Sequence, residues 1–182
     1  MKAKPTDLPG VIVIEAPVYG DSRGFFTEVF HEDRFRELGL PREFAQDNHS
    51  RSARHVLRGL HFQLDNPQGK LIRPVTGTIF DVAVDLRRSS PYFAKWIGVT
   101  LTAGDGRQLW IPPGFGHGFL VLSDGADVCY KCTTVYDAES NSGVRWDDPD
   151  IGIAWPLPTG IVPVLSAADA EAPLLSKAAC FA

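Results

Sequence analysis

The sequence predicts an all-β protein, an antiparallel sandwich or barrel with a few short helices, and three observations predict it. Glycine and proline, 17 and 14 of 182 residues, punctuate the chain roughly every eight to twelve residues. The runs between them are rich in β-branched and aromatic side chains, which suit a pleated surface. Stretches with the apolar period of a helix are scarce.

Taken in order, strands are expected at Val11 to Glu15 and Phe25 to Phe30, then Asp47 to Arg51, Val56 to Gln63 and Lys70 to Val75. Thr78 to Leu86, Phe93 to Leu101, Gln108 to Ile111, Gly116 to Leu122 and Val128 to Thr134 follow. Within Thr78 to Leu86 the even positions Phe80, Val82, Val84 and Leu86 are apolar, and the odd ones include Asp81 and Asp85. One face should therefore pack on the core while the other meets polar surroundings. Gly77, Gly104-Asp105-Gly106 and Asp124-Gly125 supply the turns. His31 to Leu40 offers one amphipathic helix, with Phe35 and Leu38 on one face and Gly39 placed to stop it. A second short helix is expected after Ser166, a candidate N-cap, before Pro173 interrupts it.

No repeat, low-complexity tract or linker divides the chain, so residues 1–182 are read as a single domain. Its proline-rich segment 151–182 is expected to wrap the body. Eighteen Lys and Arg against 22 Asp and Glu give a net charge of −4, which argues against duplex nucleic acid as a partner. No apolar stretch approaches the roughly 20 residues of a membrane span, and no apolar signal core follows Met1 to Leu8. A soluble, cytoplasmic protein with no membrane partner is the expectation. Cys129 and Cys132 form a C-x-x-C, but side chains three apart on a strand point to opposite faces, and no second pair completes a zinc site. They are read, with Cys180, as structural thiols.

Chemistry concentrates in two segments. The spacing Gly106-x5-Pro112-x-Gly114-x2-His117 resembles the second motif of the cupins, jelly-roll β-barrels with a site inside the barrel. Where metal-binding cupins carry His-x-His and a glutamate, this chain has His61-Phe62-Gln63 and Gln68. Glutamine is a poor ligand for a transition metal, and His61 and His117 alone fall short of a coordination set. No metal is therefore expected, and the two imidazoles are read as serving proton chemistry. Arg58 and Lys70 flank His61; such polarity in a barrel interior calls for an anionic ligand to offset it.

The order of further motifs is more specific. Asp21-x-Arg23-Gly24-x-Phe26-x-Glu28, Gln46-Asp47-Asn48-x-Ser50, Leu57-Arg58-Gly59-Leu60-His61-Phe62-Gln63 and Gln68-Gly69-Lys70-Leu71 come first. Gly77-x3-Asp81-x3-Asp85-x-Arg87, Leu109-Trp110-Ile111-Pro112, Tyr130-Lys131-Cys132 and Trp146-x-Asp148-Pro149 follow. Over nearly its whole length the chain resembles the dTDP-4-dehydrorhamnose 3,5-epimerase family. The resemblance implies a cupin-like jelly-roll barrel, a cofactor-free isomerase and a dTDP-linked 4-keto-6-deoxyhexose as substrate. It also implies a homodimer in which Arg23 or Glu28 reaches the neighbour's site.

By the same resemblance, His61 is the general base, Tyr130 the general acid, Asp169 the carboxylate orienting the histidine, and Lys70 the cation for the enolate oxygen. Arg23, Phe26, Glu28, Gln46, Asn48, Arg58, His117 and Glu139 fall at positions that hold substrate, with Phe26 equally readable as core. A histidine titrates near neutrality and suits proton abstraction, and a cation stabilises charge where it develops. Arg58 and His61 lie three apart, so a regular strand would send them to opposite faces. A shared site requires an irregularity at Gly59-Leu60. Two positions depart from the family pattern: His55, where glycine is usual, and Ala168, where a basic residue commonly precedes the aspartate. A mono-epimerase acting at carbon 3 or 5 alone, a metal-dependent cupin enzyme and a non-catalytic sugar-binding cupin stay open as alternatives.

Overall fold

Residues 1–182, all described in the computed structural model, form thirteen strands and two short helices. Six strands make one sheet, in the order β1 (Lys2–Pro5), β2 (Ile12–Glu15), β10 (Arg107–Ile111), β7 (Lys70–Thr76), β12 (Gly125–Cys132) and β5 (Gln46–Ala53). Five make the other: β13 (Asn141–Gly143), β6 (Leu57–Gln63), β11 (Phe115–Val121), β8 (Thr78–Asp85) and β9 (Trp96–Thr102). Every pairing in both sheets is antiparallel. A separate hairpin pairs β3 (Val18–Asp21) with β4 (Gly24–Thr27). The fold is the expected all-β, cupin-like jelly roll.

The barrel interior forms where the two sheets face each other. Ile72, Leu109, Ile111 and Val128 of the first sheet pack against Ile79, Ala83, Phe115 and Phe119 of the second. Leu71 and Trp110, one residue out of phase, point outward and pack with Ile14 and Phe35. Phe35 belongs to α1 (Glu32–Glu37), which stops ahead of Gly39 at φ +71°, as the left-handed geometry of a helix end favours. Strand β4 ends at Thr27 rather than running to Phe30, because Phe30 turns in to meet the rings of Phe35 and Phe44.

Strand β8 differs from its sequence reading. Both of its faces are buried: the even residues Val82 and Val84 pack with Ile151, Leu175 and Ala178 of the later chain. The odd residues look into the barrel, where Asp81 is wholly buried. The polar surroundings inferred from Asp81 and Asp85 are thus the barrel interior, not solvent. Burying each aliphatic side chain of the outer cover is worth roughly 1.5–3 kcal/mol. Asp148 fixes that cover by accepting the backbone N–H of Asp150, Ile151 and Leu175.

Three strands carry no strong sequence signal. β1 reads Lys-Ala-Lys-Pro, the lysine- and proline-marked composition of an edge. β3 is exposed throughout, and β13 reads Asn-Ser-Gly and exists only through its pairing with β6.

Candidate active site

The decisive local feature is a fault in strand pairing. His61 sits opposite His117 and Arg58 opposite Phe119, so three steps on β6 match two on β11. This bulge lets residues three apart share one face, as the sequence requires of Arg58 and His61. Gly59, at φ +132°, makes it possible: an added Cβ would lie 2.5 Å from Gly118 Cα.

His61 lines a cavity of about 250 Å3 together with Lys70, Tyr130, Gln46 and Asn48. The register explains the convergence. Cys132 pairs with Lys70 and Gln46, and Tyr130 with Ile72 and Asn48, so alternate residues of β7, β12 and β5 face inward side by side. His61 comes from the opposite sheet. Its Nε2 lies 2.5 Å from Asp169 Oδ1, on α2 (Ala167–Ala170). Ser166 caps that helix by accepting the Asp169 N–H and donates its hydroxyl to Asp169 Oδ2. Burial opposes charge on Asp169, but hydrogen bonds and charge from His61, with Ser166 and the Gly59 backbone, outweigh it and hold the carboxyl below its usual range. The dyad joins residues 108 positions apart in the sequence, and a second recess lined by His61, Asp169, Ala168 and Asn141 opens beside it.

Lys70 is 9% exposed, and its Nζ donates to the His61 carbonyl at 3.4 Å. Burial pushes its pKa down, with Cys132 and Asp81 acting in the opposite sense. Burial raises the Tyr130 pKa, with Cys132 adding to the effect and the Arg58 charge opposing it. The phenol is therefore a protonated donor at neutral pH. Arg58 donates through Nε to Ser52 Oγ; it is exposed, and its charge acts on Tyr130. His117 is buried beside His61, with Nε2 2.7 Å from Asp81 Oδ1. Burial dominates there and pushes the His117 pKa down against the pull of Asp81.

Four residues expected at the site stand apart from this cavity. Arg23 and Phe26 are on the exposed hairpin, where Arg23 pairs with Asp21. Glu28 pairs with Arg34, and Glu139 sits on an exposed turn whose N–H binds Asp137. Conversely, Gln63, Gln68, Tyr136 and Asn141 line the cavity. Gln63 and Gln68 belong to motifs that carry the resemblance and stand where metal-binding cupins have ligands, without pointing to a substrate role. The Gln63 amide is committed to Asn66 and Asp137, and Gln68 to Thr134. Tyr136 and Asn141 carry no sequence signal: Tyr136 follows the end of β12, and Asn141 opens β13, a strand without strand-like composition. Cys129 and Cys132 face opposite sides of β12, and all three thiols are unpaired.

The family model described as dTDP-4-dehydrorhamnose 3,5-epimerase matches residues 5–177. The chain belongs to the dTDP-4-dehydrorhamnose 3,5-epimerase family. An epimerase of that name from Pseudomonas aeruginosa is 50% identical over 182 residues, covering 100% of this chain and 99% of its own. The structure of dTDP-6-deoxy-D-glucose-3,5-epimerase from Legionella pneumophila, in complex with dTDP-4-keto-L-rhamnose, superposes with a TM-score of 0.92 at 47% identity. It covers 97% of this chain and 93% of its own. A 3'-monoepimerase from Streptomyces bikiniensis, in complex with dTDP-quinovose, gives a TM-score of 0.88 at 36% identity, over 94% of this chain and 87% of its own. Within this epimerase family, then, the cavity holding His61, Lys70 and Tyr130 is the candidate active site.

Proposed function

We propose that the chain inverts carbons 3 and 5 of dTDP-4-dehydro-6-deoxy-D-glucose, giving dTDP-4-dehydro-L-rhamnose. The ketone at carbon 4 acidifies the hydrogens on its two neighbours. His61, oriented by Asp169, removes one of them as general base. Lys70 meets the enolate oxygen that forms, in a buried setting where a positive charge counts for most. Tyr130 returns a proton to the other face of the carbon. One juxtaposition carries the assignment: His61 with its carboxylate and Tyr130 on facing sheets of a single cavity, with the Lys70 ammonium on its wall. Gln46, Asn48, Arg58 and His117 hold the sugar and diphosphate, and the chemistry draws on no cofactor or metal.

The proposal includes a homodimer in the cytoplasm. Tyr19, Phe25 and Phe26 are 64%, 61% and 67% exposed on one hairpin, a cluster that marks an interaction surface. Its occupant is a second copy, so that Arg23, Phe26 and Glu28 complete the neighbour's site while Glu139 closes its own rim. The unpaired thiols suit a reducing compartment.

Proton NMR of the dTDP-sugar in deuterated water tests the chemistry. Exchange and inversion at both carbons are expected, while inversion at one alone makes the protein a mono-epimerase like its Streptomyces bikiniensis relative. No exchange at either carbon overturns the reading. Tyr130→Phe should keep exchange but lose inversion, because the base still works and the opposite-face donor is gone. His61→Asn should lose both by roughly 10²- to 10⁴-fold.

A further inference from the structure

Five aspartates are buried: Asp81, Asp85, Asp127, Asp148 and Asp169. Four have both carboxylate oxygens bonded. Asp85 binds Arg87 and Ser90, Asp127 binds His49, Arg51 and Thr76, Asp148 takes three backbone N–H groups, and Asp169 binds His61 and Ser166. Asp81 is the exception. Oδ1 meets His117, while Oδ2 is buried without a partner. A carboxylate retained for structure alone would be satisfied as Asp85, Asp127 and Asp148 are, since an unpaired buried oxygen is costly.

We propose that Asp81 is a positioning residue for the epimerisation: its carboxylate is the fixed counter-charge, across the barrel, to the Lys70 ammonium. The inference rests on the assignment of Lys70 as the enolate's cation. Around Lys70 in its own sheet are Cys132 and Tyr130 on β12, Gln46 and Asn48 on β5, and Ile111 on β10. From the facing sheet come His61 on β6, whose carbonyl accepts from Lys70, His117 on β11 opposite His61, and Asp81 on β8, bonded to His117. Burial keeps the thiol and the phenol protonated and His117 neutral. Asp169 is spoken for by His61 and Ser166. Asp81 is thus the anion that acts on Lys70 from within the barrel, and it favours the charged ammonium against burial. The hydrogen bond to His117 fixes where that charge sits.

Asp81→Asn keeps the shape and removes the charge. At neutral pH its kcat should fall about 10- to 100-fold with KM nearly unchanged. The alkaline limb of the kcat profile should move to lower pH by about one unit, because Lys70 loses its proton sooner. A double-mutant cycle with Lys70→Met, read by denaturant unfolding, tests the pairing without any turnover. The two losses should be non-additive by about tenfold or more in the unfolding constant. An unmoved alkaline limb, or additive losses, overturns the proposal. Should Asp81→Asn alone not fold, recovery of folding in the double variant supports the pairing, and failure of both overturns it. Absence of epimerase activity in the unmutated protein would sink the functional assignment instead, and the folding cycle tells the two failures apart.

Discussion

At the scale of single residues, the site is a set of side chains whose proton states are fixed by what surrounds them. Asp169 is the clearest case. Its folded pKa is depressed, so it contributes stability that is present above the ordinary carboxylate value of 3.8 and is lost as pH falls through the folded one. Asp169→Asn should therefore be less stable than the parent at pH 7, and the gap should close in acid, as urea unfolding at the two pH values would show. The same variant should lose activity by about 10²-fold or more, because an uncharged partner no longer orients and charges the imidazole. His61, Lys70, Tyr130 and Asp169 were all legible in the sequence, through motifs that match a known order. Asp81 was visible as a residue but not as a role, since nothing in a linear pattern reveals that one oxygen of a carboxylate lacks a partner. Tyr136 and Asn141 were illegible because they reach the cavity from segments that bear no strand periodicity.

At the scale of elements, the bulge in β6 governs the site. The three-residue spacing of Arg58 and His61 demanded it, and Gly59 supplied the only residue type that fits. Gly59→Ala forces a side chain into a left-handed backbone 2.5 Å from Gly118 Cα. It should cost roughly 1–3 kcal/mol or more in stability and reduce activity more steeply still, because Arg58 and His61 then lose their common face. Thermal unfolding and turnover together would separate the two effects. His55 is the reverse case. It holds φ +64° just before β6, a geometry that costs a β-carbon roughly 1–2 kcal/mol. His55→Gly relieves this, against a loss from greater unfolded-chain freedom of about 0.4–1 kcal/mol. The expected balance is a gain of about 0 to 1.6 kcal/mol, read as a melting temperature raised by up to about 3–6 °C. Alternation separated the apolar from the polar face of β8 but could not show that the polar face is itself buried, because it does not tell solvent from a barrel interior. β13 was missed because its pairing partner, not its own composition, makes it a strand.

At the scale of the whole molecule, the exposed hairpin gives the proposed dimer a sharp test. Mixing Arg23→Ala with His61→Ala, each inactive alone, and exchanging subunits should restore roughly a quarter of parent activity. Half the dimers are then mixed, and each holds one intact site. No recovery, despite exchange shown by tagged subunits, would put the hairpin's role within its own chain. The contact between His61 and Asp169 spans 108 positions of sequence and depends on the later chain settling over β8. Closing so long a loop comes late in folding, after nearby strands have paired. The dyad thus doubles as a clock. A refolding chain should regain its barrel, seen by fluorescence, before it regains turnover, and the lag between the two signals measures how long the base waits for its carboxylate.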